Sequence, residues 1–221
     1  AESKQVAVIV GYVQPDAEGQ GKGLRNAAAV CRGGRVETSY TKMLLPTYDV
    51  FDESRYFTPG HEVRTVELGS RGGSRRAAIS ICEDLWNNRQ FEGRRVYGAD
   101  PIAAGVAEGV DLLINLSASP YRAGIEQTRA ALFGGQIREH GVPLVYVNQV
   151  GGNDELLFDG TSICSNEKGD IIATAKSFEE DLMLVDLQYG AGDAHGNAGS
   201  DADMIHRALV VGTRDYAHKC G

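Results

Sequence analysis

Cys82 ends the apolar run Ala77-Ala78-Ile79-Ser80-Ile81 and opens the acidic turn Glu83-Asp84. A thiol placed this way can attack a carbonyl, provided that something favours its thiolate and something holds the oxyanion that forms. Lys42, in Lys42-Met43-Leu44-Leu45-Pro46-Thr47-Tyr48, is a cation suited to both tasks. The backbone N–H of Glu83, freed by the strand end, is a second donor. A general-base glutamate on an earlier strand, the expected third member, has no convincing counterpart before Lys42. From position alone the commoner reading stays open, with Cys82 a small buried hydrophobe and Lys42 a solvated charge.

The whole sequence narrows the chemistry. With 221 residues and 42% hydrophobic side chains the chain can bury one substantial core. Thirty acidic against 22 basic residues give a net charge of −8, which argues against a nucleic-acid partner. Cysteines 31, 82, 164 and 220 are too scattered for a disulfide framework, and neither they nor histidines 61, 140, 195, 206 and 218 show metal-ligand spacing. No stretch approaches the roughly 18 apolar residues of a membrane span, and the polar start has no signal core, so a cytoplasmic location is expected. Gly19-Gln20-Gly21-Lys22-Gly23 lacks the Ser or Thr and the following helix of a phosphate cradle and reads as a mobile loop. The sequon Asn115-Leu116-Ser117 lies beside a buried strand and carries no expectation of sugar.

Several elements must position these residues. Val6 to Val13 reads as a strand, and Asn26 to Cys31 with Val36 to Thr41 as a hairpin turning at Gly33-Gly34. An irregular aromatic segment with Tyr48, Phe51, Tyr56 and Phe57 follows, of a kind that often walls a pocket, then a strand from Arg76 to Cys82. A helix over Pro101 to Ala107 leads to a strand at Asp111 to Asn115, and a helix over Gly124 to His140 to a strand at Leu144 to Val147. Thr161 to Ser165 and Asp170 to Thr174 form a second hairpin, and Leu182 to Leu187 a last strand. Tyr189 to Ser200 reads as a flexible linker, and Asp201 caps a helix running through Lys219 that has no obvious packing partner. Strands with interleaved helices make this a mixed α/β protein.

Four segments together resemble one family. KMLLPTYDVFDESRYFTPG (42–60), ICEDLW (81–86), NLSASPY (115–121) and YVNQVGGNDELLFDGTS (146–162) resemble the glutaminase half of bacterial glutamine-dependent NAD synthetases, within the nitrilase or carbon–nitrogen hydrolase superfamily. The similarity runs in family order from about Val6 to Leu187. It implies a nitrilase-like four-layer α-β-β-α sandwich and a Glu-Lys-Cys triad. Cys82 would form a glutamyl thioester and Lys42 would stabilise the oxyanion, with water then releasing glutamate. Ammonia would pass to a synthetase domain that adenylates nicotinic acid adenine dinucleotide with ATP and magnesium. No cofactor is expected in this chain itself.

The resemblance also implies departures. The family's base glutamate lies in an FPE-type motif before the strand matched by Val6 to Val13, so a fragment lacking its first elements is expected. Glu53 is then either a second catalytic carboxylate or an ion-pair partner of Arg55 or Lys42. Tyr48, Ser119 and Phe158 are candidates for shaping the glutamine pocket, and the Glu83 side chain for meeting a substrate ammonium. The implied organisation is a glutaminase domain over 1–188, a linker over 189–200 and the first synthetase helix over 201–221. Expected partners are L-glutamine, the synthetase domain and further copies of the chain in a homo-oligomer. The alternatives are a free-standing nitrilase-class amidase and a catalytically dead binding or assembly module.

Overall fold

Valines at 8, 10 and 13 give the beginning of the chain its strand propensity, and Val8–Pro15 forms β1 in the computed structural model. It pairs antiparallel with β2 (Leu24–Arg32), which pairs with β3 (Arg35–Thr41). Gly33 and Gly34 both have positive φ, 60° and 77°, the geometry that matches strand twist in a two-residue hairpin. The structure describes residues 6–16, 22–70, 73–87, 97–196 and 199–221, in two compact units, 1–116 and 117–221. Most of the glycine-rich segment 19–23 therefore lies outside the described residues.

In the first unit β4 (Arg64–Ser70) and β5 (Gly73–Ile81) form an antiparallel hairpin. The helix α1 (Pro101–Ala107) packs on β5, and β6 (Leu112–Ser117) runs parallel to it. The start of α1 is set by Asp100, whose carboxylate accepts from the Ala103 N–H, with Pro101 in the first turn. Ala77 to Ile81 are all buried, as a strand covered on both faces requires. Residues Ala27 to Val30 of β2 are buried too, and β2 packs on β5. Asn115 is fully buried and donates to Ser80 Oγ, so the sequon is inaccessible. The sequence reading missed β4 because only Val66 of this strand turns a large apolar side chain into the core.

The second unit contains α2 (Ile125–His140), β7 (Leu144–Asn148), the hairpin β8 (Val150–Asn153) and β9 (Leu156–Asp159), then β10 (Ile163–Ser165) and β11 (Ile171–Thr174). β10 pairs antiparallel with both β7 and β11. The last expected strand shrinks to β12 (Val185–Asp186), which pairs with β13 (Ala191–Gly192). The segment expected to be a flexible linker is thus tied down over residues 191–195. The His195 N–H also donates to Thr174 O, and its ring meets Asp181 at 2.8 Å. Backbone pairing needs no apolar periodicity, which is why composition alone misleads there.

The terminal helix α3 (Asp201–Cys220) is capped by Ser200 and not by Asp201, which is its first helical residue. It is not without a packing partner. Met204, Ala208 and Val211 make a stripe buried with Phe178 and flanked by Tyr121 and Leu157. Asp215 accepts from the Gly152 N–H at 2.7 Å, and Lys219 donates to Gly152 O at 2.6 Å. No helix among the described residues is long and apolar enough to cross a membrane.

A buried ion pair anchors the second unit. Arg129 and Asp159 are 4% and 0% exposed and meet through two hydrogen bonds of 2.6 and 2.9 Å. Arg129 also donates to Ser119 O and Oγ. Removing one partner of such a pair leaves a buried charge uncompensated. Asp159→Asn is expected to lower unfolding stability by about 3 kcal/mol in chemical denaturation. Lys176→Ala, which breaks an exposed pair with Glu179, leaves the midpoint unchanged.

Candidate active site

The continuation of β3 delivers Lys42. Its N–H donates to Asn26 O and its carbonyl accepts from the Gly60 N–H, both at 2.8 Å. Gly60 is required by close approach, since a Cβ there would lie 2.3 Å from Thr41 O. The Lys42 side chain is 1% exposed, and its Nζ donates to Glu53 Oε1 at 2.5 Å. The other Glu53 oxygen accepts from Asn26 Nδ2 at 3.2 Å. Glu53 opens a 3₁₀ turn, Glu53–Arg55, whose N–H bonds Pro46 O, so the aromatic loop carries this carboxylate back to the lysine.

Burial alone would push the Lys42 ammonium down. The charges of Cys82, Glu53 and Asp84, with the hydrogen bond to Glu53, overcome it and hold the group above its usual range. The interaction is reciprocal, so an ammonium stabilised by the Cys82 thiolate stabilises that thiolate in turn.

Cys82 is half-buried, directly after β5, at the head of the 3₁₀ turn Cys82–Leu85. Its φ is +45°, a left-handed conformation that costs a residue with a Cβ about 1–2 kcal/mol. Such strain persists only where neighbours over-determine it, and here Asp84 does so. One Asp84 oxygen accepts from the N–H groups of Met43 (3.2 Å) and Leu44 (2.9 Å). The other accepts from the Ile81 N–H (2.9 Å) and the Tyr40 hydroxyl (2.7 Å). Burial pushes the Asp84 carboxyl up to about 6, against the donors Ile81, Tyr40 and Leu44 and the charge of Lys42. One side chain thereby fastens the lysine segment to the cysteine turn.

Glu83 points its carboxylate at Tyr48, whose hydroxyl lies 2.9 and 2.8 Å from the two oxygens. The Tyr97 phenol also acts electrostatically on this carboxylate. Burial raises the Glu83 carboxyl, while the two phenols and Lys42 pull it down and Glu53 adds to the rise. Tyr97 also lines a cavity of about 370 Å³ with Met43, Leu45, Phe57 and Pro59. No group of His, Cys, Asp and Glu among the described residues is arranged to hold a metal ion.

Of the residues singled out in the sequence, the structure therefore brings together Lys42, Glu53, Cys82, Glu83 and Tyr48. Ser119 and Phe158 belong to the second unit, where both are buried. There the Ser119 N–H donates to Asn148 Oδ1, and Phe158 lies on β9 opposite Gly151. The sequence reading missed Asp84, Tyr40, Asn26 and Tyr97. Only Asp84 gave a signal, as the second acid of the turn after the cysteine. Cys164, its thiol pushed up to about 11 by burial, is a core residue.

Comparison with known proteins places this arrangement. The chain is 41% identical to the glutamine-dependent NAD(+) synthetase of Synechocystis sp., over 98% of its own length and 39% of that protein. The solved glutamine-dependent NAD+ synthetase of Acinetobacter baumannii superposes with a TM-score of 0.81 at 33% identity, over 99% of this chain and 39% of that one. A carbon-nitrogen hydrolase of Helicobacter pylori, at 24% identity and TM-score 0.62, shares the fold. The chain spans about two fifths of the synthetases it matches. The expected nitrilase-like α/β class is the one found.

If Lys42 stabilises the thiolate, Lys42→Met slows alkylation of Cys82 by iodoacetamide at pH 7 by about tenfold or more, read by peptide mass. An unchanged rate would separate the lysine from the thiol. All of these residues lie within 1–194, the span that matches the family model described as carbon-nitrogen hydrolase, and the chain belongs to that family.

Proposed function

We propose that this chain is the glutaminase part of a glutamine-dependent NAD synthetase, releasing ammonia from L-glutamine through a Cys82 thioester. The supporting observation is the buried Lys42 ammonium, fixed by Glu53 and sharing charge with Cys82, in a chain aligned along almost its whole length with such synthetases.

In this reading the Cys82 sulfur bonds to the side-chain amide carbon of glutamine. The negative charge arriving on the carbonyl oxygen is held by Lys42 and by the Glu83 N–H. The C–N bond then breaks and nitrogen leaves as ammonia, taking up the proton that the thiol gave up. Water attacks the thioester, the S–C bond breaks, and glutamate departs with the thiol restored. Glu53 is a positioning residue that keeps Lys42 charged and aimed. The Glu83 carboxylate, anchored by Tyr48, receives the substrate's α-ammonium in a charge-assisted pair. Ser119 and Phe158 are assigned to substrate contact by their motifs alone. The ammonia is used by a synthetase domain that consumes ATP with magnesium.

The test is release of glutamate from L-glutamine by the chain. Release is expected in the wild type, absent in Cys82→Ser and reduced about 100-fold or more in Glu53→Gln, with acetamide and simple nitriles left intact. Hydrolysis of those simple compounds and not of glutamine would favour a free-standing amidase. Binding of glutamine with no release would favour a binding module.

A further inference from the structure

The four donors to Asp84 are not alike. Three are the backbone N–H groups of Ile81, Met43 and Leu44, and a backbone N–H can only donate. The fourth is the Tyr40 hydroxyl, 2.7 Å from Oδ2, which can also accept. Tyr40 and Asp84 are both without exposed surface. Burial and the Asp84 charge push the phenol well above its ordinary range, so it stays a neutral hydroxyl.

This difference decides where a proton can sit. A protonated Asp84 needs an acceptor for its own O–H, and of its four partners only the phenol offers one, so the proton goes to Oδ2. That oxygen also accepts from the Ile81 N–H, the bond that closes the chain around Cys82. Met43 and Leu44 stay bound to Oδ1, so the lysine segment keeps its anchor. Protonation therefore loosens the cysteine turn selectively. Cys82, at a φ of +45°, holds a conformation that needs such closure.

We propose that Tyr40 and Asp84 form a proton-linked positioning pair for the nucleophile, in which charged Asp84 closes the Cys82 turn and protonation at Oδ2 opens it. This rests on the reading of Cys82 as the reacting thiol and adds the groups that keep it in place. Burial pushes the Asp84 carboxyl up to about 6, so the change falls just below neutral pH. The groups facing Asp84 are Tyr40 on β3 and Lys42 just after it, with Cys82 and Glu83 beside it in the turn. The helix α1, which packs on this turn, carries no titratable side chain. A hydrogen bond to a carboxylate is stronger than one between neutral groups. Loss of the phenol therefore costs the charged form more and moves protonation to higher pH.

The experiment follows alkylation of Cys82 by iodoacetamide in the whole chain at pH 8 and pH 6, read by peptide mass, with exposed Cys220 as reference. The sulfur displaces iodide and forms one C–S bond. The rate of Tyr40→Phe relative to wild type is expected to fall about fivefold between pH 8 and pH 6, and to recover on return to pH 8. Electrostatics alone gives the opposite sign, because removing the Asp84 charge favours the nearby thiolate. Asp84→Asn, which keeps one acceptor oxygen and cannot titrate, is expected to be slower than wild type at pH 8, with the gap narrowing toward pH 6. A Tyr40→Phe ratio that is the same at both pH values overturns the pair and leaves Tyr40 a packing residue. An Asp84→Asn chain as fast as wild type at pH 8 overturns the closing role of the carboxylate. A wild-type Cys82 that reacts no faster than Cys220 at pH 6 instead removes the reading of Cys82 as an activated thiol.

Discussion

The Asp84 carboxylate is the constraint on which the arrangement around Cys82 depends. It lies with no exposed surface and spends both oxygens on four donors, two from the lysine segment, one from the end of β5 and one from Tyr40. A buried carboxylate is tolerable only when its lone pairs are filled. Filling them here joins residues some 40 positions apart in sequence. The same contacts set the turn that forces Cys82 to positive φ. The left-handed nucleophile and the inward lysine are two consequences of one buried charge.

Much of the secondary structure was legible because it rests on local chemistry. The β2–β3 hairpin follows from paired glycines, α1 from Pro101 in its first turn, and α3 from the helical spacing of Met204, Ala208 and Val211. The elements that escaped are those whose reasons are not local. β4 buries only Val66 fully and is held by its pairing with β5. β8 is Val150-Gly151-Gly152-Asn153 and β9, though apolar, is only four residues long, while β13 has only two. The docking of α3 was hidden for a related reason. Its buried stripe is visible in the sequence, but its partners, Phe178 and the β8–β9 hairpin, are not.

At the candidate site, the residues in quoted motifs were legible and those that hold them were not. Lys42 and Cys82 stand out by type and place, and Glu53 through the family resemblance of the segment that holds it. Of the two ion-pair partners open to Glu53, the structure gives Lys42 and not Arg55, whose guanidinium lies over the Tyr56 ring. Asn26 looks like an ordinary polar residue in a strand. Its role depends on the distant carboxylate it meets, and nothing in its neighbours announces it.

Three carboxylates and a thiol crowd one ammonium, an arrangement that a net-acidic protein could sustain only by giving each charge a separate duty. Asp84 is satisfied by the fold, Glu53 is paired with Lys42, and Glu83 is held by the Tyr48 phenol, which brings no charge of its own. Because that phenol is neutral, Glu83 is anchored without being cancelled, and a positive group entering from outside would still find it attractive. Because Glu53 takes one of the three Lys42 protons, the others can face the thiolate and whatever oxygen gains charge beside it. Replacing the phenol with a cation would anchor Glu83 more firmly and leave it with less to offer. In this account the choice of tyrosine at 48 is a matter of electrostatics as much as of packing.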